Sequence, residues 1–250
     1  PDEVAVAATR INEVLGAPVM VDGRTLVVTV SIGVSLFPRD GATMGELLKH
    51  SDTAMYQAKD LGRNNFQVFS PQMDRTLKER VAIESSLRAG LKLNQFDVHY
   101  QPIIDIHTRR VAGLEALLRW KHPVQGYVSP ERFIEVAEET GLIIPIGQFV
   151  LDRIGRDISD WREAGVHLVP VSMNVSAVQL ERTKLRELIQ QAMQKNRIGP
   201  QLIALELTEG SLFETRTGEF REDALASLRD LGVKIAIDDF GTGYSSLSYL

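Results

Sequence analysis

The sequence contains no cysteine among its 250 residues. Disulfide bonds and thiolate-bound metal sites are therefore excluded. Histidine is also scarce, and its five copies are scattered with no pair at ligand spacing, so a zinc site is not expected. If the protein binds a metal, we expect oxygen ligands, which favour Mg²⁺, Mn²⁺ or Ca²⁺.

Positive charge is not in excess either. Lysine and arginine total 28 against 33 acidic residues, so the net charge of −5 gives no electrostatic reason to expect binding to DNA or RNA. The sequence has no apolar run of about 18 residues and does not open with a signal-peptide pattern. We therefore expect a cytoplasmic protein, and a longer parent anchored in a membrane through a preceding region is compatible with this sequence.

Residues 1–70 combine helical and strand-like patterns and read as the second half of a small α/β domain. Within them, residues 17–37 predict a hairpin around Asp22 and Gly23 with a long second strand. Residues 71–92 have apolar residues at helical spacing among many charges. This pattern predicts either a linker helix between two domains or an ordinary packed helix of one of them.

From residue 93 onward, predicted strands alternate with predicted helices, which is typical of a parallel sheet that is open or closed into a barrel. Because side chains alternate across a strand, each strand has two distinct faces. One face is bulky and apolar, and the other becomes polar toward the carboxyl end of the strand. The polar positions on four of these strands are Glu115, Asn174, Glu206 and Asp238.

The spacing of these polar residues is regular. Asn174 and Glu206 are 32 residues apart (206 − 174), and so are Glu206 and Asp238 (238 − 206), close to the length of one β-α-β unit. We therefore expect them, together with Glu115, at the same height where catalytic groups of barrels lie. Asp239 begins the following loop and can turn toward the same centre. Two divalent cations about 3.5–4 Å apart would neutralise these acids and hold a phosphate.

Several motifs after residue 93 resemble the EAL domain of cyclic di-GMP phosphodiesterases. They are "YQPIID", "EALLRW", "SMNVSAVQL", "ELTEG" and "DDFGTGYSSLSYL", and the resemblance covers residues 93–250. It implies a modified TIM barrel with one antiparallel strand. It also implies a bacterial signalling hydrolase that converts cyclic di-GMP to linear pGpG with two Mg²⁺ or Mn²⁺ ions.

The resemblance assigns roles to individual residues. The implied metal ligands are Glu115, Asn174, Glu206 and Asp238. Asp239 would lie at the second metal and the attacking water, so that Glu115 and Asp239 are the implied catalytic residues. Gln101 and Arg119 would contact the dinucleotide. Glu209 would anchor the mobile loop that continues from Asp239.

Residues 1–70 resemble the C-terminal half of a GGDEF (diguanylate cyclase) domain through "VTVSIGVSLFP" and "SDTAMYQAKDLGRNNF". The resemblance implies that Lys59 and Arg63 hold the phosphates of GTP. Their spacing of four places them on one face of the predicted helix. The expected organisation is a tandem protein with a partial GGDEF domain (1–70), a linker helix (71–92) and part of an EAL domain (93–250). The parent is expected to form a dimer through its EAL domain.

Some family motifs lie outside these 250 residues. They are the Gly-Gly-Asp-Glu-Phe turn and the lysine, glutamate and glutamine of later barrel strands. We therefore expect an internal fragment of a longer protein, with an incomplete barrel that is inactive by itself. Two alternatives for the parent stay open: a catalytically inactive receptor of cyclic di-GMP, and a bifunctional protein that also has diguanylate cyclase activity.

Overall fold

The structure is a computed structural model that describes residues 2–22, 24–208 and 222–238. The chain divides into two compact units, residues 1–82 and residues 83–250. Both units combine helices and strands, which confirms the predicted mixed α/β class. Among the helices of the described residues, none has both the length and the hydropathy that a membrane crossing requires.

The first unit contains short strands and two helices that precede helix α3. In chain order they are α1 (Asp2–Leu15), β1 (Val19–Val21), β2 (Arg24–Leu26), β3 (Ile32–Val34), α2 (Met44–Asp60) and β4 (Phe66–Val68). The antiparallel pairing of β1 with β2 confirms the predicted hairpin. The long second strand is wrong, because β3 is separate and pairs with β4 in parallel. A Cβ atom at Gly33 would overlap the backbone of Ser51 and Met55, so close packing fixes β3 against α2.

Hydrogen bonds hold the start of α2. The Thr43 hydroxyl accepts from the Glu46 amide at 3.2 Å, and the Glu46 carboxylate accepts from the Thr43 amide at 3.1 Å, which forms a capping box. Just before the helix, the buried Asp40 carboxylate accepts from the Leu36 amide at 2.8 Å and from Arg39 Nε at 2.7 Å. The hydrogen bond from Arg39 is the main reason that the pKa of Asp40 lies below its ordinary value.

Helix α2 ends at Asp60, before Arg63. Gly62 has a φ of 92°, and the amide of Arg63 donates to the carbonyl of Ala58 at 3.1 Å, as in a Schellman cap. Arg63 itself has a φ of 60°, outside the helix. The prediction that Lys59 and Arg63 share one helical face is therefore wrong, because glycine ends the helix between them. Both side chains are exposed.

Helix α3 (Pro71–Lys92) crosses the division between the two units. In the first unit, Arg80 pairs with Asp60 at 2.6 Å, and the Thr53 hydroxyl donates to Asp74 at 3.2 Å. In the second unit, the same helix contributes the fully buried Leu87. The helix predicted from the charged, periodic pattern is thus present and packs within each unit through different residues.

The second unit has a mixed sheet with helices between its later strands. Its elements are β5 (Phe96–Ile104), β6 (Val111–His122), β7 (Gly126–Val128), α4 (Pro130–Glu139), α5 (Ile143–Glu163), β8 (Val171–Asn174), α6 (Ala177–Arg182), α7 (Leu185–Asn196), β9 (Ile203–Thr208), α8 (Glu222–Arg229) and β10 (Lys234–Asp238). The strand order is β10-β9-β8-β6-β5, and β7 pairs with β6. Strands β6, β8, β9 and β10 are parallel. The resemblance implied one antiparallel strand, and the structure has two, because both β5 and the short β7 run antiparallel to β6. The sequence patterns did not predict β7 or α6.

The predicted alternation of strand faces is clearest in β9. Ile203, Leu205 and Leu207 are fully buried, whereas Ala204 and Glu206 on the other face are partly exposed. The buried face packs in a core cluster with residues of α5, α7 and α8. Removing each such side chain from water contributes roughly 1.5–3 kcal/mol. A second cluster surrounds the buried aromatic rings near α4 and the start of α5.

Polar contacts tie β5 to α5. The Tyr100 hydroxyl donates to Asp157 at 2.7 Å, and Arg153 Nε donates to the same carboxylate at 2.9 Å. Arg153 also pairs with Asp97 at 3.0 Å. Burial, followed by the hydrogen bond to Asp157, raises the pKa of Tyr100, so its hydroxyl stays protonated and donates. These contacts fix the antiparallel strand that also carries Gln101.

Candidate active site

Polar side chains meet where β8, β9 and β10 end. In the parallel pairing, Asn174 lies opposite Glu206, as the 32-residue spacing predicts. Asp238 lies opposite Thr208, which is two residues beyond Glu206 on the same face. The prediction of equal height is therefore correct for the first pair and wrong for Asp238. Strands of a barrel-like sheet are staggered by their tilt, so equal sequence spacing does not guarantee equal height.

Glu115 approaches the same group of residues from β6. It pairs with Ser172, which is two residues before Asn174, so it too lies off the predicted common height. Even so, Asn174 Nδ2 donates to Glu115 Oε1 at 3.1 Å. Gln101 lies directly opposite Glu115 across the antiparallel pair. Opposite residues of an antiparallel pair project to the same face, which places Gln101 beside this carboxylate.

The surroundings of Glu206 raise the pKa of its carboxyl group above the ordinary value. Burial raises the pKa of its carboxyl group, and the negative charges of Glu115 and Asp238 raise it further. A hydrogen bond from Ser172 acts in the opposite direction. The Ser172 hydroxyl is also 3.4 Å from the carbonyl of Leu114. Its single proton serves one acceptor at a time, and we assign it to the carboxylate because charge-assisted hydrogen bonds are the stronger ones.

The donor chemistry of this group suits a hard divalent cation, which takes carboxylate and amide oxygens. The oxygen donors are those of Glu115, Asn174, Glu206 and Asp238. Within residues 2–22, 24–208 and 222–238, however, no three histidine or acidic residues come close enough to hold a metal ion by themselves. The predicted site residues Asp239 and Glu209 lie outside the described residues. Burial is the main cause of the raised pKa of Glu206, and a bound cation would relieve the added repulsion from Glu115 and Asp238.

A cavity of about 310 Å³ adjoins the polar group. Asn174 and Glu206 lie in its wall with Arg119, and apolar side chains of α4 and α5 form much of the rest. Arg119 Nη1 donates to the carbonyl of Leu118 at 3.0 Å, so the guanidinium is held near its own strand. Arg119 is thus placed where it can contact a ligand, whereas Gln101 is not among the described residues that line this cavity.

The sequence patterns did not point to Gln179, which also lines the cavity and is 4% exposed. The side-chain oxygen of Gln179 accepts from the Ser176 backbone amide at 3.0 Å, and the backbone amide of Gln179 donates to the Ser176 hydroxyl at 3.3 Å. The signal was present in the sequence as Ser-x-x-Gln, the spacing of a capping box. The short helix α6 begins with this motif.

Comparison with known families agrees with this arrangement. Residues 84–250 match the EAL domain, and residues 1–65 match the diguanylate cyclase, GGDEF domain. A solved structure described as the PaMucR phosphodiesterase in complex with c-di-GMP has a TM-score of 0.62 and 37% sequence identity. The similarity covers 67% of this chain and 67% of that one.

Two curated relatives from Pseudomonas aeruginosa align along the chain. The cyclic di-GMP phosphodiesterase NbdA is 40% identical over 248 residues, 99% of this chain and 31% of its own length. The bifunctional diguanylate cyclase/cyclic di-GMP phosphodiesterase MucR is 36% identical over 250 residues, 100% of this chain and 36% of its own length. The chain thus spans about a third of the length of these relatives. Since the EAL match extends over more than half of the sequence, the chain belongs to the EAL domain family, and its first 65 residues match the GGDEF domain.

Proposed function

We propose that the full-length protein hydrolyses cyclic di-GMP to linear pGpG with two divalent cations, Mg²⁺ or Mn²⁺. The observation that carries this proposal is the meeting of Glu115, Asn174, Glu206 and Asp238 on neighbouring strands. Asn174 contacts Glu115 at 3.1 Å, and the charges of Glu115 and Asp238 act on Glu206. The similarity to NbdA and to the solved phosphodiesterase supports the same substrate.

The proposed ligands are the four residues just named, together with Asp239, which follows Asp238 in the sequence. When bound, the cations would activate a water molecule and stabilise charge on the phosphoryl group. The hydrogen bond from Asn174 holds the Glu115 carboxylate in one orientation. Arg119 supplies a positive charge in the cavity wall, which suits the negative charge of a phosphodiester.

A single substitution tests the ligand assignment. Glu115→Ala in the full-length protein should lower cyclic di-GMP hydrolysis by more than about 100-fold, because losing a direct ligand should exceed the 10–100-fold effects of outer-shell changes. The product pGpG is quantified by chromatography in the presence of Mg²⁺ or Mn²⁺. Glu131→Ala, at an exposed carboxylate early in α4, is the matched control and should retain wild-type turnover. Turnover of Glu115→Ala within a few-fold of wild type would contradict the assignment.

A receptor function is the second candidate. The observation that favours it is the cavity beside the polar group, whose wall holds Arg119 and apolar side chains of α4 and α5 and can take a ligand without a cation. The full-length protein would then bind cyclic di-GMP without converting it. Calorimetric binding with no pGpG formed in either Mg²⁺ or Mn²⁺ would assign this role.

For the first unit, we propose that Lys59 and Arg63 contact the phosphates of GTP. The match of residues 1–65 to the GGDEF domain supports this, and both side chains are exposed. Lys59→Ala and Arg63→Ala should each weaken GTP binding by the full-length protein, and unchanged affinity would contradict the proposal. We further propose that the EAL domain forms a homodimer, which light scattering on the full-length protein would test.

A further inference from the structure

Helix α5 has two interior glycines that each face an amide side chain of another helix. Gly147 faces Gln179 of α6, and Gly155 faces Asn196 of α7. Glycine in a helix interior is less stable than alanine, so close packing is the physical reason for its use here. The two glycines are eight residues apart on one helix, but the amides they contact have different surroundings.

The side-chain amide of Gln179 fills the space next to Gly147. A Cβ atom at position 147 would overlap Gln179 Nε2 and would lie 3.0 Å from Gln179 Cδ. The end of a glutamine side chain can usually rotate away from such an overlap. Here it is buried, and its oxygen accepts from the Ser176 amide at 3.0 Å. Displacing it would leave that partly buried amide without its acceptor, which costs free energy.

Ser176 is two residues beyond Asn174, so its amide helps to fix the end of β8. On the other side of this strand end, the amide of Val175 donates to the carbonyl of Glu206 at 2.9 Å. The backbone is therefore held by β9 through Val175 and by Gln179 through Ser176. Asn174 is the last residue of β8 and lies just before these two supports. Its side chain donates to Glu115.

We infer that Gln179, packed against Gly147, is a positioning residue that sets Asn174 for binding a divalent cation. This inference rests on the proposed function, because it takes Asn174 as a ligand. The contact between Gly155 and Asn196 lacks this link. Asn196 Nδ2 donates to the carbonyl of Ala192 at 2.9 Å within α7, and Asn196 is not among the described residues that line the cavity.

Direct titration with Mn²⁺, followed by electron paramagnetic resonance on the full-length protein without substrate, tests the inference. Gly147→Ala and Gln179→Ala should each weaken Mn²⁺ affinity about 10–100-fold, the range for residues that orient metal ligands. Gly155→Ala is the matched control, since it also overfills a glycine contact of α5, and its affinity should stay within twofold of wild type. In the double variant, Gly147→Ala should add less than twofold to Gln179→Ala, because the side chain it displaces is gone.

Hydrogen exchange at the Ser176 amide gives a readout that needs no metal. Exchange should be faster in Gly147→Ala and in Gln179→Ala and unchanged in Gly155→Ala. If Gly147→Ala does not fold, Gln179→Ala carries the test, because it removes atoms instead of adding them.

The possible failures are distinguishable. Wild-type protein that binds no Mn²⁺ would overturn the proposed function and this inference together. Wild-type protein that binds Mn²⁺, with Gln179→Ala within twofold of it, would overturn the inference alone. Equal loss of affinity in Gly155→Ala would also overturn it, since general loosening of α5 would then explain the effect.

Discussion

The two units use the same kinds of element but bury very different amounts of apolar surface. Among the described residues, the unit of residues 1–82 buries four apolar side chains, three of them alanines: Ala8, Ala54, Ala58 and Phe69. The unit of residues 83–250 has two extended clusters rich in isoleucine, leucine and aromatic rings. Periodic sequence patterns therefore specify helices and strands in both units. An extended apolar core forms only where the apolar faces of those elements pack against one another.

In the first unit, hydrogen bonds carry more of the local order. The hairpin residues Val19, Met20 and Val21 are each at least 45% exposed. The start of α2, in contrast, is fixed by its capping box and by the buried Asp40 carboxylate. We expect the first unit to have the lower stability, with individual polar contacts accounting for much of it.

The largest difference should appear when an apolar side chain is removed from each unit. Leu205→Ala, in the buried face of β9, should lower the free energy of unfolding by about 3–5 kcal/mol through lost burial and a new cavity. Leu26→Ala, at a leucine that is 48% exposed in the first unit, should cost less than about 1 kcal/mol. Urea unfolding followed by circular dichroism measures both, and equal losses would contradict the comparison.

A polar contact of the second unit should have an intermediate effect. Asp157→Asn removes the charged acceptor shared by Tyr100 and Arg153 and should cost about 2 kcal/mol. Asp152→Asn is the control on the same helix, because Asp152 is 3.9 Å from an exposed Lys195 and should contribute less than about 0.5 kcal/mol. Thermal unfolding of both variants at one pH decides the point, and an Asp157→Asn loss no larger than the control would refute it.

In the first unit, low pH should remove the contribution of the Asp40 carboxylate to the free energy of unfolding. The pKa of this carboxyl is lower in the folded state than in the unfolded chain, where it is about 3.9. Its stabilisation is therefore complete above the unfolded value and is lost as pH falls through the folded value. Asp40→Asn should cost about 1 kcal/mol at pH 7 and progressively less toward pH 3. Melting temperatures of both proteins across this range test the prediction, and a constant difference would argue against it.

A similarly small effect is expected at the helix caps. Thr43→Ala should cost about 1 kcal/mol, because the Thr43 hydroxyl accepts from Glu46 at the start of α2. Ser129, at the start of α4 in the second unit, makes no side-chain capping bond, so Ser129→Ala should change stability by less than about 0.5 kcal/mol. Calorimetric scans of the two variants compare them, and a larger loss for Ser129→Ala would reverse the expected order.

The sequence alone predicted those features that depend on local periodicity. The two faces of β9, the order of the main helices and strands in the second unit, and the antiparallel β5 implied by the family resemblance all agree with the structure. Asn174 opposite Glu206 followed from the 32-residue spacing, because these strands pair without a shift at that level. Roles of individual residues in metal binding stay predictions.

Features that depend on contacts between distant segments could not be predicted from local sequence periodicity. The offset of Asp238 arises from the stagger between β9 and β10, which leaves no mark on sequence spacing. Strand β3 pairs with β4 and packs Gly33 against α2, and both contacts join segments that are far apart in the sequence. The end of α2 before Gly62 is a local signal that the sequence does show, and placing Arg63 on the helical face of Lys59 overlooked it.

Both tryptophans of the chain, Trp120 and Trp161, belong to the second unit. Trp120 is 1% exposed and packs against Phe96 and Phe133, and Trp161 lies edge-on to Tyr100 at 4.9 Å. Intrinsic tryptophan fluorescence should therefore report on the second unit alone, with a red shift as the Trp120 indole enters water. If the helical circular dichroism signal falls before this red shift, the first unit has unfolded first. The unfolding of the two units can therefore be followed separately without an added label.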